Sequence, residues 1–432
     1  MKLSSAGKLW VLMITAFIDM VGVLMVIPIM PFYAKELGQG GKFVGLVVSA
    51  FAVAQLVTSP LWGRFSDRHG RRPTLLVALS ASAIAYVIFA FALDMGPLAL
   101  AMLFFSRLVQ GAGGGTVSVI QAYVADSTEP HERVGALGWV SVATNLGVTI
   151  GPVLGALALT AWGKRGPGLL AASLCVVNIA FAWRYLRESR DMTDATAQAG
   201  KPKPKLGQAM ANVITHSSEP ASRLIWIYAI AMGAFQGVTS MLALYLAVRF
   251  GVTEKTIGFF FAYTGVISVL TRSLILSRMV DWLGEARLSR LGSTLLATGI
   301  AALAFIRPLA DPAHVVAMTG GMLPARVVAI LPFVPLALAV ALLPLGTAFT
   351  FPCVTGLLTR VISSSERGMY MGVQQTFGGA ARVVFPIVFG ILFDWHLQAP
   401  FLLSASLVVL TIYLGMGMDK FVTPKQRAAE AR

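Results

Sequence analysis

The sequence predicts an all-α membrane protein with twelve transmembrane helices in two pseudo-symmetric six-helix bundles. Three observations carry that expectation. Of 432 residues, 56% are hydrophobic and 12% charged, which leaves too few polar side chains to cover a water-soluble core of this size. Apolar runs of about 20 residues, the length needed to cross a hydrocarbon core of ~30 Å, recur along nearly the whole chain. Lys and Arg are unequally divided between alternate connecting loops, the asymmetry that orients multi-span proteins.

Taken in order, the runs cover residues 10–32, 43–62, 74–93, 98–122, 135–161 and 167–185, then 224–248, 256–280, 288–306, 330–357, 368–393 and 400–416. The first is longer than a signal-peptide core and lacks a small-residue cleavage site, so it reads as a retained span. With the N-terminus inside, the cytoplasmic segments carry 20 of the 34 Lys and Arg residues and the external loops carry 8. Both termini are therefore expected in the cytoplasm, and the membrane is expected to be a plasma or inner membrane. The net charge of +15 is spread over short loops and forms no basic domain, so no nucleic-acid partner is expected. Cys175 and Cys353 fall inside spans and read as small soft hydrophobes, with no disulfide or metal site.

Between 187 and 222 the apolar runs stop, and Lys201-Pro202-Lys203-Pro204-Lys205 follows a Thr/Ala/Gln stretch with no burial pattern. This predicts an N-terminal bundle over 1–186, a cytoplasmic linker over 187–222 and a C-terminal bundle over 223–432. Residues 206–214 within the linker suit a short helix on the inner membrane surface. The halves repeat weakly: Arg64, Asp67 and Gly70 match Arg278, Asp281 and Gly284 at an offset of 214, and Arg133, Gly138 and Pro152 match Arg367, Gly372 and Pro386 at an offset of 234. Such repeats, with binding near the midplane, are the architecture of many secondary transporters.

The loop after span 2 reads Gly63-Arg64-Phe65-Ser66-Asp67-Arg68-His69-Gly70-Arg71-Arg72-Pro73. Gly70 permits an unusual backbone angle, Asp67 has guanidinium groups in reach, and Pro73 suits the first turn of span 3. From charge alone, an ordinary positive-inside loop explains it equally well. The residue order, however, resembles the G-x-x-x-D-R-x-G-R-R signature of the major facilitator superfamily. Span 4 carries Arg107-Leu108-Val109-Gln110-Gly111, similar to the R-x-x-Q-G motif of that superfamily's twelve-span drug:proton antiporters. Span 5 carries Gly138, Gly147, Gly151-Pro152 and Gly155-Ala156, which resembles the antiporter motif except that Ala156 replaces its last glycine. Small residues let any two membrane helices approach closely; the resemblance implies in addition a rocking interface that bends near Pro152.

Charges inside the spans are the sharpest signal that needs no resemblance. At ~1.5 Å rise per residue, Asp19 lies ~13 Å into span 1 and Arg107 ~13 Å into span 4, both near the middle of the membrane. Facing lipid there costs at least ~2.5–3.5 kcal/mol each, so both are expected to face the protein interior or a wet cavity. A fixed structural pair is one reading; the other is a carboxylate that loads and releases a proton beside a cation. Arg382 is similarly deep and is a candidate substrate contact, whereas Arg272, near the inner end of span 8, suits snorkelling. Gln55, Gln110, Asn145, Gln236, Gln374 and Gln375 are candidate cavity residues, although hydrogen bonds between helices explain them as well. The resemblance also implies that Asp126 pairs with Arg68 or Arg71 as part of an inner gate formed with Gly63, Asp67, Gly70 and Arg72, with Asp281 and Gly284 as the counterparts in the second half.

The expected function is proton-coupled export of a small amphipathic compound by alternating access, with a metabolite symporter or uniporter as the alternative. No G-x-x-x-x-G-K-[ST] phosphate loop is present, so an ion or substrate gradient must supply the energy. An enzyme is disfavoured because the five histidines, His69, His131, His216, His314 and His396, are scattered over loops. A transport-dead receptor is disfavoured by Asp19, Arg107 and the gate motif. No cofactor is expected; the partners are a small-molecule substrate, protons and the lipid bilayer, with a monomeric chain. Asp19 and its surroundings resemble the tetracycline exporters, but Ala85-Tyr86 stands where those carry an acid before the tyrosine, which argues against recognition of tetracycline with magnesium.

Overall fold

The computed structural model describes residues 5–129, 132–189, 206–306, 333–363 and 366–418, and among these there is helix and no strand. Most of the expected linker (190–205), the first residues of the run 330–357, His131 and His314 lie outside the described residues. The first half comprises α1 (Ser5–Val26), α2 (Met30–Glu36), α3 (Gly41–His69), α4 (Arg71–Phe91), α5 (Ala99–Ala112), α6 (Thr116–Ser127), α7 (Arg133–Trp162) and α8 (Gly166–Tyr185). After α9 (Leu206–Thr215) come α10 (Pro220–Phe250), α11 (Ile257–Leu270), α12 (Leu276–Phe305), α13 (Val334–Val361), α14 (Arg367–Trp395) and α15 (Ala399–Leu414).

Among the described residues, eight stretches are long and apolar enough to cross a membrane. Three of them, Arg71–Ser127, Gly135–Tyr185 and Ile257–Phe305, run 57, 51 and 49 residues, about twice the length one crossing needs. Each folds back near a glycine: Gly96 before Pro97, Gly163, and Gly284. Ala399–Leu414 adds a shorter apolar helix, which completes the twelve crossings expected from the sequence.

Three details depart from simple rods. Span 4 is broken at Gly113-Gly114-Gly115, which separates α5 from α6. Span 8 passes through a π-helical turn at Thr271–Ile275 between α11 and α12, and Arg272 sits on it, exposed. The short helix expected near 206–214 forms as α9, but Ala209 and Val213 are buried in the second unit's core, so it is held by packing as well as by its amphipathic pattern.

The chain divides into two compact units, Met1–Pro204 with Thr253–Gly265, and Lys205–Val252 with Val266–Arg432. The start of span 8 joins the first unit because its small residues seat on α7. A side chain at Gly258 would collide with the Pro152 carbonyl, and one at Gly265 would lie 2.6 Å from Thr149 Oγ1. Within the first unit one core cluster draws on α1, α2, α4, α5 and α8, with Met25, Tyr33, Tyr86, Phe89 and Cys175 among its buried residues.

Candidate functional site

A buried polar cluster lies across α1, α4, α5 and α6. Asp19 is 3% exposed, and its Oδ2 accepts a hydrogen bond from Thr116 Oγ1 at 2.6 Å. Thr116 is the first residue of α6, so the glycine break in span 4 sets its hydroxyl against span 1. One turn after Asp19, Gly22 leaves room for the Tyr86 hydroxyl, which would stand 3.1 Å from a Cβ there. That hydroxyl accepts a hydrogen bond from Gln110 Nε2 at 2.6 Å.

Arg107, one turn before Gln110, is 1% exposed and stands over the Phe89 ring, 5.4 Å from its centroid. Its Nε and Nη2 make no hydrogen bond among the described residues, nor does Gln110 Oε1. Asp19 and Arg107 thus share one cluster, yet no ion pair joins them among the described residues; Tyr86 lies within electrostatic reach of both. Each of these groups is a buried polar atom with few partners, the arrangement that makes a site sensitive to a proton or a ligand.

The same glycine break explains Gln55. Its Nε2 donates to the Gly114 carbonyl at 3.2 Å, while Thr58 and Trp62 of the same helix donate to the Ala112 carbonyl. Breaking a membrane helix frees carbonyls that must be satisfied inside the protein, and α3 supplies the donors. Gln55 thus links α3 to the break in span 4 by a hydrogen bond.

At the α3–α4 turn, Gly70 adopts φ 98°, ψ 163°. Just past it, Arg71 gathers the loop: Nε bonds Asp126 Oδ2 at 2.8 Å, and Nη1 bonds Asp67 Oδ1 at 3.0 Å and Ser66 Oγ at 2.9 Å. Its side chain is 11% exposed, against 57% for Asp67, so the Asp126 contact is the more shielded of the two pairs. Of the two partners expected for Asp126, Arg71 is the one found. Arg68 is exposed, and a Cβ added at Gly63 would meet nothing within 4 Å.

Glu188 completes this clasp, and sequence reasoning missed it by leaving it in the linker. Its carboxylate accepts the Arg71 and Arg72 backbone N–H groups at 2.8 and 3.1 Å, satisfying the free donors of the α4 N-terminus. Arg72 Nη2 in turn donates to the Trp183 carbonyl at 2.7 Å. The end of span 6 is thereby tied to the start of span 3.

The second unit repeats this arrangement with its chemistry exchanged. Gly284, φ 73° and ψ 158°, has the backbone geometry of Gly70. The next residue is Glu285 where the first half has Arg71, and it pairs with Arg360 at 3.1 Å; Arg360 is the offset-234 counterpart of Asp126. Arg133 Nη2 donates to the Ala125 carbonyl at 2.7 Å, and Arg367 Nε to the Thr359 carbonyl at 3.0 Å, each reaching back eight residues. Asp281 is exposed with no ion pair among the described residues, so the charged pair of this half is Glu285–Arg360. Because that pair is partly buried, Glu285→Arg is expected to destabilise the protein, and Glu285→Arg with Arg360→Glu to recover most of the loss. A double-mutant cycle on thermal unfolding should give a coupling of about 0.5–3 kcal/mol.

The span-5 glycines face span 1. Gly147, Gly151 and Gly155 stand against the carbonyls of Phe17, Val21 and Met25, where added carbons would lie 2.6 and 2.8 Å away at the first two and collide at the third. Both stripes advance by four residues, so the helix backbones touch along their length. Pro152 and Ala156 occupy another side of α7, against Gly258, and Gly138 is exposed. In the second unit the small residues are on the other partner: Gly233 and Gly237 of span 7 receive Phe385 and Phe389 of span 11.

The remaining candidates are dispersed. Asn145 Nδ2 donates within its own helix to the Ser141 carbonyl at 2.7 Å. Gln374 is buried and accepts from Thr355 at 3.4 Å, and its Nε2 has no partner among the described residues. Gln236 and Arg382 are half-buried and Gln375 is exposed.

A set of twelve apolar crossings carrying a buried carboxylate and paired charged clasps defines a polytopic membrane transporter. Residues 12–325 match the family model of the Major Facilitator Superfamily, and the chain belongs to that superfamily; it is a transporter and not an enzyme. It is 26% identical over 426 residues to multidrug resistance protein 2 of Bacillus subtilis, covering 98% of this chain and 96% of that one. It is 23% identical over 423 residues to the class B tetracycline resistance protein of Escherichia coli, covering 97% of each. The crystal structure of the human organic anion transporter MFSD10 superposes with a TM-score of 0.65 at 22% identity, over 96% of this chain and 100% of that one. The expected fold class and superfamily are borne out.

Proposed function

We propose that this chain exports a small amphipathic compound in exchange for protons, by alternating access between the halves 1–186 and 223–432 joined by the linker 187–222. The observation that carries the reading is Asp19. It is a buried carboxylate in a membrane helix, supported among the described residues by one hydroxyl and no cation, so taking up a proton is the direct way to remove its charge. Tyr86 and Gln110 connect its surroundings to Arg107, whose guanidinium has two nitrogens without a hydrogen bond among the described residues and responds to the charge on the cluster. The names of the relatives, multidrug and tetracycline resistance proteins, support export of drug-like compounds, while Tyr86 following Ala85 argues against tetracycline itself.

In this reading the Arg71 and Glu285 clasps lie at the cytoplasmic face, both termini are cytoplasmic, and the monomer works in the plasma membrane. The backbone contacts of α7 with α11 supply a tight, sliding surface for the rocking motion, while those with α1 hold the first half together. Gln236, Gln374, Gln375, Asn145 and Arg382 are assigned to the substrate path. The test is a transport panel in inside-out vesicles, with fluorescence detection of proton release on substrate addition. Transport that proceeds at full rate with no proton movement for every substrate found would reject the coupling.

Asp67→Ala should leave expression and ligand binding intact while slowing exchange between the two access states. It removes the exposed half of the Arg71 clasp and spares Asp126, and exposed pairs contribute little to stability. A wild-type turnover number in the variant would remove Asp67 from the gate.

A further inference from the structure

A cleft of about 390 Å³ opens where span 7 begins and span 12 ends, lined by Ser217, Ser218, Arg223, Trp226, Ile230, Tyr413 and Leu414. Its lining is graded along the membrane normal. Ser217 and Ser218 precede α10, Arg223 lies in its first turns, and Trp226 and Ile230 follow on the same face at helical spacing. Ile230 is seven residues beyond Arg223, ~10 Å deeper along the helix. Tyr413, 67% exposed, closes the side at the end of α15. One end is thus polar and cationic, and the other is apolar with Trp and Tyr at the boundary, as at a membrane interface.

The polar end has a positive balance. Arg223 Nη2 donates to the carbonyls of Leu414 and Met416, at 2.5 and 3.1 Å. These bonds hold the guanidinium in place without neutralising it, and among the described residues it has no ion pair. The one acid on the same helix is Glu219, the exposed residue at its N-terminus.

We propose that this cleft binds an anionic phospholipid, with the phosphodiester at Arg223 and the two serines and the upper acyl chain along Trp226 and Ile230. A soluble phosphate would use the polar end alone and leave the apolar wall uncovered. A zwitterionic lipid would fit the shape but bring an ammonium group to a cationic site. The site lies on the outside of the second unit's helices, and its occupancy would tie α9 to the bundle, because Trp226 Nε1 also donates to the Val213 carbonyl at 3.2 Å.

The test is a thermal-unfolding titration of the detergent-purified full chain with palmitoyl-oleoyl phosphatidylglycerol. Phosphatidylcholine with the same chains and inorganic phosphate serve as the comparison ligands. Phosphatidylglycerol is expected to raise the unfolding temperature saturably, and Arg223→Gln to move the midpoint at least tenfold higher in lipid. Since Arg223 also ties span 7 to span 12, Ile230→Trp is measured beside it; this variant fills the apolar end, keeps the guanidinium, and should show the same loss. An unchanged midpoint in Ile230→Trp, equal stabilisation by phosphatidylcholine, or full stabilisation by inorganic phosphate would overturn the proposal.

Discussion

Asp19→Asn is expected to abolish proton-driven accumulation of substrate while preserving the folded protein. Asparagine has the same shape, and its side-chain oxygen can still accept the Thr116 hydrogen bond now made at 2.6 Å. What it cannot do is exchange a proton. A pH difference of two units is worth ~2.7 kcal/mol per proton, or about 100-fold accumulation for a one-to-one exchange. The variant should lose that factor entirely. The proper measurement pairs two assays in vesicles: uptake driven by an imposed pH gradient, and substrate counterflow without one. Loss of the first with the second retained places the proton on Asp19. Unaltered gradient-driven uptake would remove Asp19 from the mechanism, and loss of both would assign it to substrate binding or to the conformational cycle.

Asp19 was legible because a lone carboxylate in an apolar run has few explanations in a membrane. Its partner was not. Thr116 is 97 residues away, and a threonine in a membrane helix is commonplace; only the three glycines before it mark the helix break that turns its hydroxyl toward span 1. Tyr86 drew notice solely as a departure from a family pattern, although the structure places its hydroxyl on Gln110 and over Gly22. Charged loops hid Glu188 for the opposite reason: one acid among arginines after span 6 reads as solvated surface until its carboxylate is seen on the first turn of α4.

The repeat was legible only in fragments, and the structure supplies the physical reason. What the two halves share is position, while residue types have crossed over between partners. Arg71 with Asp126 becomes Glu285 with Arg360. A glycine-lined span 5 against span 1 becomes a glycine-lined span 7 against span 11. Either member of an ion pair or of a close helix contact can carry the charge or the missing side chain, so an exchange preserves the interaction and erases the sequence match. Backbone geometry has no such freedom, which is why Gly70 and Gly284 do match.

That constraint makes Gly70→Ala the second large effect. With φ 98° and ψ 163°, Gly70 occupies a region essentially confined to glycine, where a side chain costs about 1–3 kcal/mol. Space is lacking as well, because the new methyl group would collide with the Glu188 carboxylate. Moving Glu188 aside would release the Arg71 and Arg72 N–H groups it now accepts at 2.8 and 3.1 Å, so backbone strain and the loss of a helix cap act together. The expected result is a total destabilisation of about 2–4 kcal/mol together with a marked fall in transport rate. Glu188→Ala separates the two contributions. In that background the collision is gone and the backbone cost alone remains, so Gly70→Ala should become less damaging by about 1 kcal/mol or more. Thermal unfolding of the four proteins in detergent measures this, and purely additive effects would show that Gly70 is required for its backbone angle and not for its contact with Glu188.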